Sequence, residues 1–304
     1  MAVGAPARAR AERLIGGAAV VGAASIWGVT FTLTEPALHH FSAMQVAFLR
    51  LVFALPVLGA LQGRSRAPLP PLRVALPFAA TGLVGYFLFT NFGLQRTSAA
   101  LGALLQGLGP AMTAILAVLV LGEAVSLTVG LSVALAVAGA VVMGVGPGGP
   151  HSSATGALLL VAASLAWAAY TVLGRRHGDL DAVQRSFLPA ILATLTLAPF
   201  ALADAWHGAG AGAWLLIAGL GVTGGGLAYP LWNYGVSRVS AASAGVLGNV
   251  SPLVALAAAA GLLGDSVTPA QLAGGAMVLT GAVVVSYQHA RRPGARPEPA
   301  FEPE

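Results

Sequence analysis

NFGLQRTSAALGALLQGLGPAMTAILAVLVLGE, Asn91 to Glu123, returns later in the chain as NYGVSRVSAASAGVLGNVSPLVALAAAAGLLGD, Asn233 to Asp265. The offset is a constant 142 residues (233 − 91), and no gap is needed. At that spacing Asn91 meets Asn233, Gly93 meets Gly235, Arg96 meets Arg238, Ser98 meets Ser240 and Pro110 meets Pro252. Glu123 meets Asp265, and Gly139 meets Gly281 beyond the quoted stretch. A match sustained in this way marks a duplicated unit. The earlier parts of the copies align too, AASI from Ala23 against AASL from Ala162 and Gln45 against Gln184, at an offset of 139 (162 − 23).

Composition says what solvates the unit. Hydrophobic residues make up 57% of the 304 residues, charged residues only 8%, and mean hydropathy is +0.83. A soluble domain carries about a quarter charged residues, so this chain has too few to cover an apolar core and is expected in lipid. The net charge of +5 comes from arginine alone, since no lysine occurs. These arginines stand in short clusters between apolar runs, which reads as loop anchoring at a membrane rather than a nucleic-acid surface. Cysteine is absent, which excludes disulfides and thiolate metal sites.

A hydrocarbon core of ~30 Å takes ~20 apolar residues per helix. The runs that qualify are Leu14–Leu33, Met44–Leu61, Val74–Phe92, Ala99–Leu121, Leu127–Val145, Gly156–Leu173, Ser186–Leu202, Trp214–Val236, Ala241–Leu263 and Ala270–Tyr287. They are continuous rather than alternating, so the expectation is an all-α integral membrane protein with ten transmembrane helices. Met1 to Arg13 is too polar for a signal-peptide core, and Leu14 opens a retained span. If the spans alternate, Arg8, Arg10, Arg13, Arg64, Arg66, Arg73, Arg175, Arg176, Arg238, Arg291, Arg292 and Arg296 fall on one side and only Arg96 opposes them. Both termini are then cytoplasmic at an inner, plasma-type membrane. Five spans per copy is an odd number, which makes the two repeats inverted, the duplication of secondary transporters with a site near the midplane. The expected units are 14–145, 156–287 and a disordered cytoplasmic tail, 288–304.

Ile26-Trp27-Gly28 in the first span, Arg50 in the second, Pro110 and the terminal Leu121-Gly122-Glu123 complete a pattern that the second copy echoes with Pro252 and Leu263-Gly264-Asp265. It resembles the drug/metabolite transporter superfamily, in particular its ten-helix members with two EamA-type repeats. The resemblance runs from about Leu14 to Tyr287. It implies a cavity built from spans one to four and six to nine, with five and ten behind. It also implies a carrier of small solutes, without cofactor, working as a monomer or homodimer in the bilayer. Two departures stand out: Asp265 replaces a glutamate, and Pro189 occupies the position equivalent to Arg50.

The candidate substrate-binding residues are Trp27, Arg50, Tyr86, Gln106, Trp167, Tyr170, Tyr229 and Asn249. Gln106 and Asn249 lie on the proline-bearing spans, where lipid would leave their amides unsatisfied, so they are expected to face inward. Arg50 either holds a substrate carboxylate or satisfies backbone carbonyls, and Arg185 is the other buried-charge candidate. Trp27 and Trp167 sit deep at near-equivalent positions, whereas Trp232 reads as an interfacial-belt residue. Pro110 and Pro252 are either packing kinks or hinges. Glu123 and Asp265 are expected to be structural, each facing the amide donors of the next helix, with Ser126 capping Leu127 and Thr268 capping the last span. A pair of gate residues is the competing reading. The histidines show no metal-ligand spacing and are expected to be solvated. Neither paired aspartates nor an HExxH sequence lies in a span, which leaves an intramembrane enzyme or a non-transporting receptor as the rivals to a carrier. The expected cargo is a small neutral or zwitterionic metabolite such as an amino acid, since a polyanion would want several buried positive charges. Export is the expected direction by resemblance.

Overall fold

The structure is a computed structural model and describes residues 4–96, 109–144, 153–206, 208–263 and 268–291. Among these residues the chain is entirely helical. Seven helices are long and apolar enough to cross a membrane: α1 (Gly4–Leu38), α2 (Ala43–Ser65), α3 (Leu72–Gly93), α6 (Ala154–Arg176), α7 (Gln184–Ala203), α8 (Ala211–Val236) and α9 (Ala241–Leu262). Three further helices, α4 (Gly109–Leu121), α5 (Leu127–Gly144) and α10 (Pro269–Arg291), have shorter apolar stretches, in the last two Leu127–Gly139 and Leu272–Gly281. Hydroxyls start several of them. Ser42, Ser126, Ser153 and Ser240 accept from the backbone N–H of Gln45, Val129, Gly156 and Ser243, the orphan donors of a helix's first turn.

The helices pack reciprocally. Helix α2 lies on α7, α4 on α9 and α5 on α10, while α1 packs on α8 and α9 just as α6 packs on α3 and α4. Exchanging each helix for its counterpart five places on reproduces this list, the signature of two similar units related by an approximate twofold. Single atoms obey it too. A methyl at Gly139 would sit 2.6 Å from the Gly274 carbonyl oxygen, and one at Gly281 would sit 3.0 Å from that of Ser132. Both glycines are there to let α5 and α10 close on one another.

Two glutamines clamp α2 to α7. Gln45 Oε1 accepts from Ser42 N–H (3.0 Å) while its Nε2 donates to the carbonyl of Ala205, just past α7 (3.2 Å). Gln184 Oε1 accepts from Asp181 N–H (2.7 Å) while its Nε2 donates to the carbonyl of Pro68, just past α2. One amide thus fastens each end of an antiparallel pair. The core between the units holds Leu51, Leu58, Phe78, Tyr170, Trp232 and Leu247, all fully buried. Outward faces carry bare leucines, Leu119 at 74% exposure and Leu215 at 75%, a surface that suits lipid and not water.

Two helices are underwound at equivalent places, and a third π-helical segment, Ala259–Leu263, ends α9. Helix α3 passes through a π-helical segment at Ala79–Gly85 and α8 through one at Gly221–Leu227, again 142 residues apart (221 − 79). Helix α9 breaks differently. Its first segment ends at Gly248, Asn249 forms a turn, and a second segment starts at Val250. Pro252 therefore occupies the first turn of the new segment, where its missing N–H removes no helical bond.

Candidate substrate site where the discontinuities meet

Trp27 and Gly28 of α1 sit where the irregular parts of α8 and α9 converge. Trp27 Nε1 donates to the carbonyl of Gly224 in the π segment of α8 (2.8 Å). A methyl at Gly28 would fall 2.5 Å from the Ser251 carbonyl oxygen, so glycine is what allows α9 to lie against α1 beside its break. The π segment of α3 is held reciprocally: Tyr229 Oη donates to the carbonyl of Gly82 (2.8 Å). A π segment leaves carbonyls outside the regular ladder, and here an aromatic from the opposite unit satisfies one in each.

Around this crossing the aromatic candidates form one connected cluster. Ring centroids of Trp27 lie 4.9 Å from Trp167, 5.3 Å from Tyr229 and 5.4 Å from Trp232. Trp167 lies 5.2 Å from Tyr86, stacks on Tyr170 at 5.2 Å and stands 5.1 Å from Trp232. Tyr170 and Tyr229 meet edge to face at 5.6 Å. Trp232 is thus misread as a belt residue. It is 1% exposed because α8, rotated by its π segment, turns this ring inward. The signal was its place next to Asn233, itself buried and donating to Tyr170 Oη and Ser186 Oγ.

Arg50 borders the cluster from α2. Its Nη1 donates to Thr34 Oγ1 at 3.4 Å, its guanidinium stands 5.0 Å over the Phe87 ring, and a methyl at Gly224 would sit 3.0 Å from Nη2. Asn249 lies in the break of α9, 7% exposed, one residue from Gly248, where a methyl would touch the Trp232 ring at 3.0 Å. Gln106 lies outside the described residues. Pro110 is the second described residue of α4 and is buried. Arg185 is elsewhere, at the foot of α7, donating to the carbonyls of Gly174 (2.5 Å) and Asn233 (2.7 Å). It pins the end of α6 to α8.

The ends of the bundle hold the acids. Glu123 does not cap the helix after it. Its Oε1 accepts from Arg175 Nε (3.1 Å) and its Oε2 from Ala241 N–H (3.2 Å), the start of α9, while Arg175 Nη1 donates to the Ser237 carbonyl (3.1 Å). The dipole argument applied to the wrong helix, because α4 and α9 lie side by side and α9 offers the nearer free amide. Asp265 lies outside the described residues. At the opposite end Asp204 accepts from Ser42 Oγ (2.5 Å) between two open cavities of about 380 and 490 Å³. His177 also departs from expectation. It closes α6 half-buried, Nδ1 3.1 Å from the Leu173 carbonyl and ring 5.9 Å from Phe78.

The model of the EamA-like transporter family matches residues 14–145 and again 154–287. The chain belongs to the EamA-like transporter family. It is a membrane transporter of the drug/metabolite transporter superfamily and not an enzyme. Among curated relatives of this EamA-like protein, a probable terminal-alkyne amino-acid exporter of Streptantibioticus cattleyicolor is 28% identical over 249 residues, 81% of this chain and 82% of the relative. An uncharacterized transporter of Bacillus subtilis, YyaM, is 26% identical over 246 residues, 75% and 80% of the two chains. One solved structure, described only as "Crystal structure of protein", shares the fold with a TM-score of 0.78 at 21% identity, over 92% of this chain and 98% of that one.

Proposed function

We propose that this EamA-like transporter is a secondary exporter of a small neutral or zwitterionic metabolite such as an amino acid, across the inner membrane, by alternating access. Ten crossings as two inverted five-helix repeats, spanning 14–145 and 156–287, support a rocking of one unit against the other. Both termini are then cytoplasmic; the tail expected from residue 288 begins inside α10, which runs to Arg291. The observation that carries the reading is the crossing itself. Six rings from α1, α3, α6 and α8 meet where two π segments and one broken helix supply main chain able to rearrange. The named substrate of the Streptantibioticus relative, an amino acid, agrees with that choice of cargo. Trp27, Arg50, Tyr86, Gln106, Trp167, Tyr170, Tyr229 and Asn249 line the path, with Pro110 and Pro252 as flanking hinges.

Counterflow in proteoliposomes with labelled amino acids, sugars and nucleosides tests this. Accumulation of at least one amino acid, lowered by Trp167→Ala and Asn249→Ala in protein that still folds, is expected. A receptor or scaffold would move none of them, and that result sinks the carrier reading.

A further inference from the structure

Among the described residues, the hydrogen-bonding groups left without a partner beside the rings of the crossing are mainly donors; the Thr90 hydroxyl can donate or accept, and Asn233 Oδ1 is an acceptor turned toward Gly174. Arg50 Nε, Trp232 Nε1 and Asn249 Nδ2 are buried without an acceptor among the described residues, as is Arg185 Nε at the foot of α7. A buried donor left unsatisfied is costly, ~1–3 kcal/mol, so the three beside the rings are prepared for something that brings oxygen atoms. The neighbouring donors are already engaged, Trp27 with Gly224, Tyr229 with Gly82 and Asn233 Nδ2 with Tyr170 and Ser186. The other orphan acceptor, Gln62 Oε1, is near the end of α2.

The described carboxylates are all occupied or remote. Glu123 is held by Arg175 and Ala241, Asp204 by Ser42, Asp181 by Val183 N–H, Glu12 pairs with Arg8, and Asp179 is in an exposed turn. Nothing acidic among the described side chains meets the rings, so an ammonium group would find only ring faces there.

We infer that the crossing recognises a monocarboxylate, through Arg50, Trp232 and Asn249, with the apolar body of the solute on the rings and no ammonium group required. This rests on the carrier reading and says how the cargo is held: an amino acid binds by its acid end, and a simple monocarboxylate anion is recognised as well. Arg50 supplies the cation and Trp232 and Asn249 add two neutral donors, while Arg185 is engaged with the carbonyls of Gly174 and Asn233; that set fits one carboxylate and not a phosphate or a dicarboxylate.

Three probes of one shape decide the matter on the purified full-length protein in detergent: 3-phenylpropionate, 2-phenylethylamine and phenylalanine. Trp27, Trp167 and Trp232 line the site, so quenching of tryptophan fluorescence reports binding without any need for transport. The acid and the amino acid are expected to bind with similar Kd and the amine much more weakly. Trp232→Phe keeps the ring and loses the N–H, and should weaken 3-phenylpropionate by about tenfold. Asn249→Asp should weaken the acid further and let the amine bind. Arg50→Gln should abolish binding of the acid in protein that folds, and the other two variants carry the test if it does not fold. Equal or tighter binding of the amine overturns the inference. So does binding of phenylalanine alone, or of none of the three. The counterflow panel judges the carrier reading separately, since a solute of another class can still move when all three probes fail.

Discussion

Removing the charge of Glu123 is the perturbation with the most definite energetic consequence. Its carboxylate joins α4, α6 and the start of α9 through Arg175 and Ala241 N–H at 3.1 and 3.2 Å. Arg175 is 25% and Glu123 17% exposed at the side chain, so the pair is neither a surface ion pair nor a sealed one. Exposed pairs couple by ~0.2–1 kcal/mol, and breaking a fully buried pair costs ~3–5 kcal/mol. The intermediate burial places the coupling at about 1–2 kcal/mol, with Glu123→Gln alone costing about 1.5–3 kcal/mol because a charge-assisted bond becomes a neutral one. A double-mutant cycle of Glu123→Gln and Arg175→Gln, read by equilibrium unfolding in mixed micelles, measures it. Additivity within about 0.5 kcal/mol would refute the argument, since independent sites behave that way. Flux per folded molecule should stay unchanged in Glu123→Gln. If it loses only its response to an imposed pH gradient, the acid carries the coupling proton and the structural assignment is wrong.

Gly82→Ala should lower the thermal midpoint by an amount equivalent to about 1–3 kcal/mol, because the new methyl overlaps the Tyr170 ring, while Gly22→Ala, which meets nothing within 4 Å, should be near neutral or stabilising. Gln45→Ala and Gln184→Ala should each cost about 1–2 kcal/mol in unfolding measurements, and by similar amounts, since the clamps are the same set of bonds; a severalfold inequality would count against the twofold. Reporter fusions after Arg66 and Arg176 should lie in the cytoplasm and those near His151 and His207 in the periplasm; a cytoplasmic His151 would remove the ten-crossing arrangement.

Much of the scaffold was legible because duplication writes itself into spacing. Asn91 and Asn233 pointed to it, and both are buried bonds that tie the ends of α3 and α8 to α2 and α7. The meeting of the rings was half legible: aromatic residues deep in apolar runs announce burial but not their neighbours. Trp232 was missed since its sequence position, near the end of a run, says nothing of the rotation that a π segment adds upstream. The segments themselves leave no mark in hydropathy, although glycines at 82 and 224 sit at the repeat offset. Glu123 shows the other limit. Capping rules look along the chain, and its partner Arg175 stands 52 residues away.

The π segments of α3 and α8 also carry a date. Each amounts to one residue inserted into an α-helix, and inserting one turns everything beyond it by roughly 100°, one step of a helix with ~3.6 residues per turn. Tyr229 and Tyr86 both lie beyond such a step, Tyr229 one residue past Ala228 and Tyr86 directly after Gly85. Two independent insertions would have no reason to fall 142 residues apart in register with the duplicated sequence. The economical history is a single insertion in a half-length ancestor, copied when the gene doubled. On that history the turn in the helix is older than the chain that now contains it twice, whereas Tyr86 and Trp232, which meet Ala228 and Thr90 at the same offset, belong to one copy each.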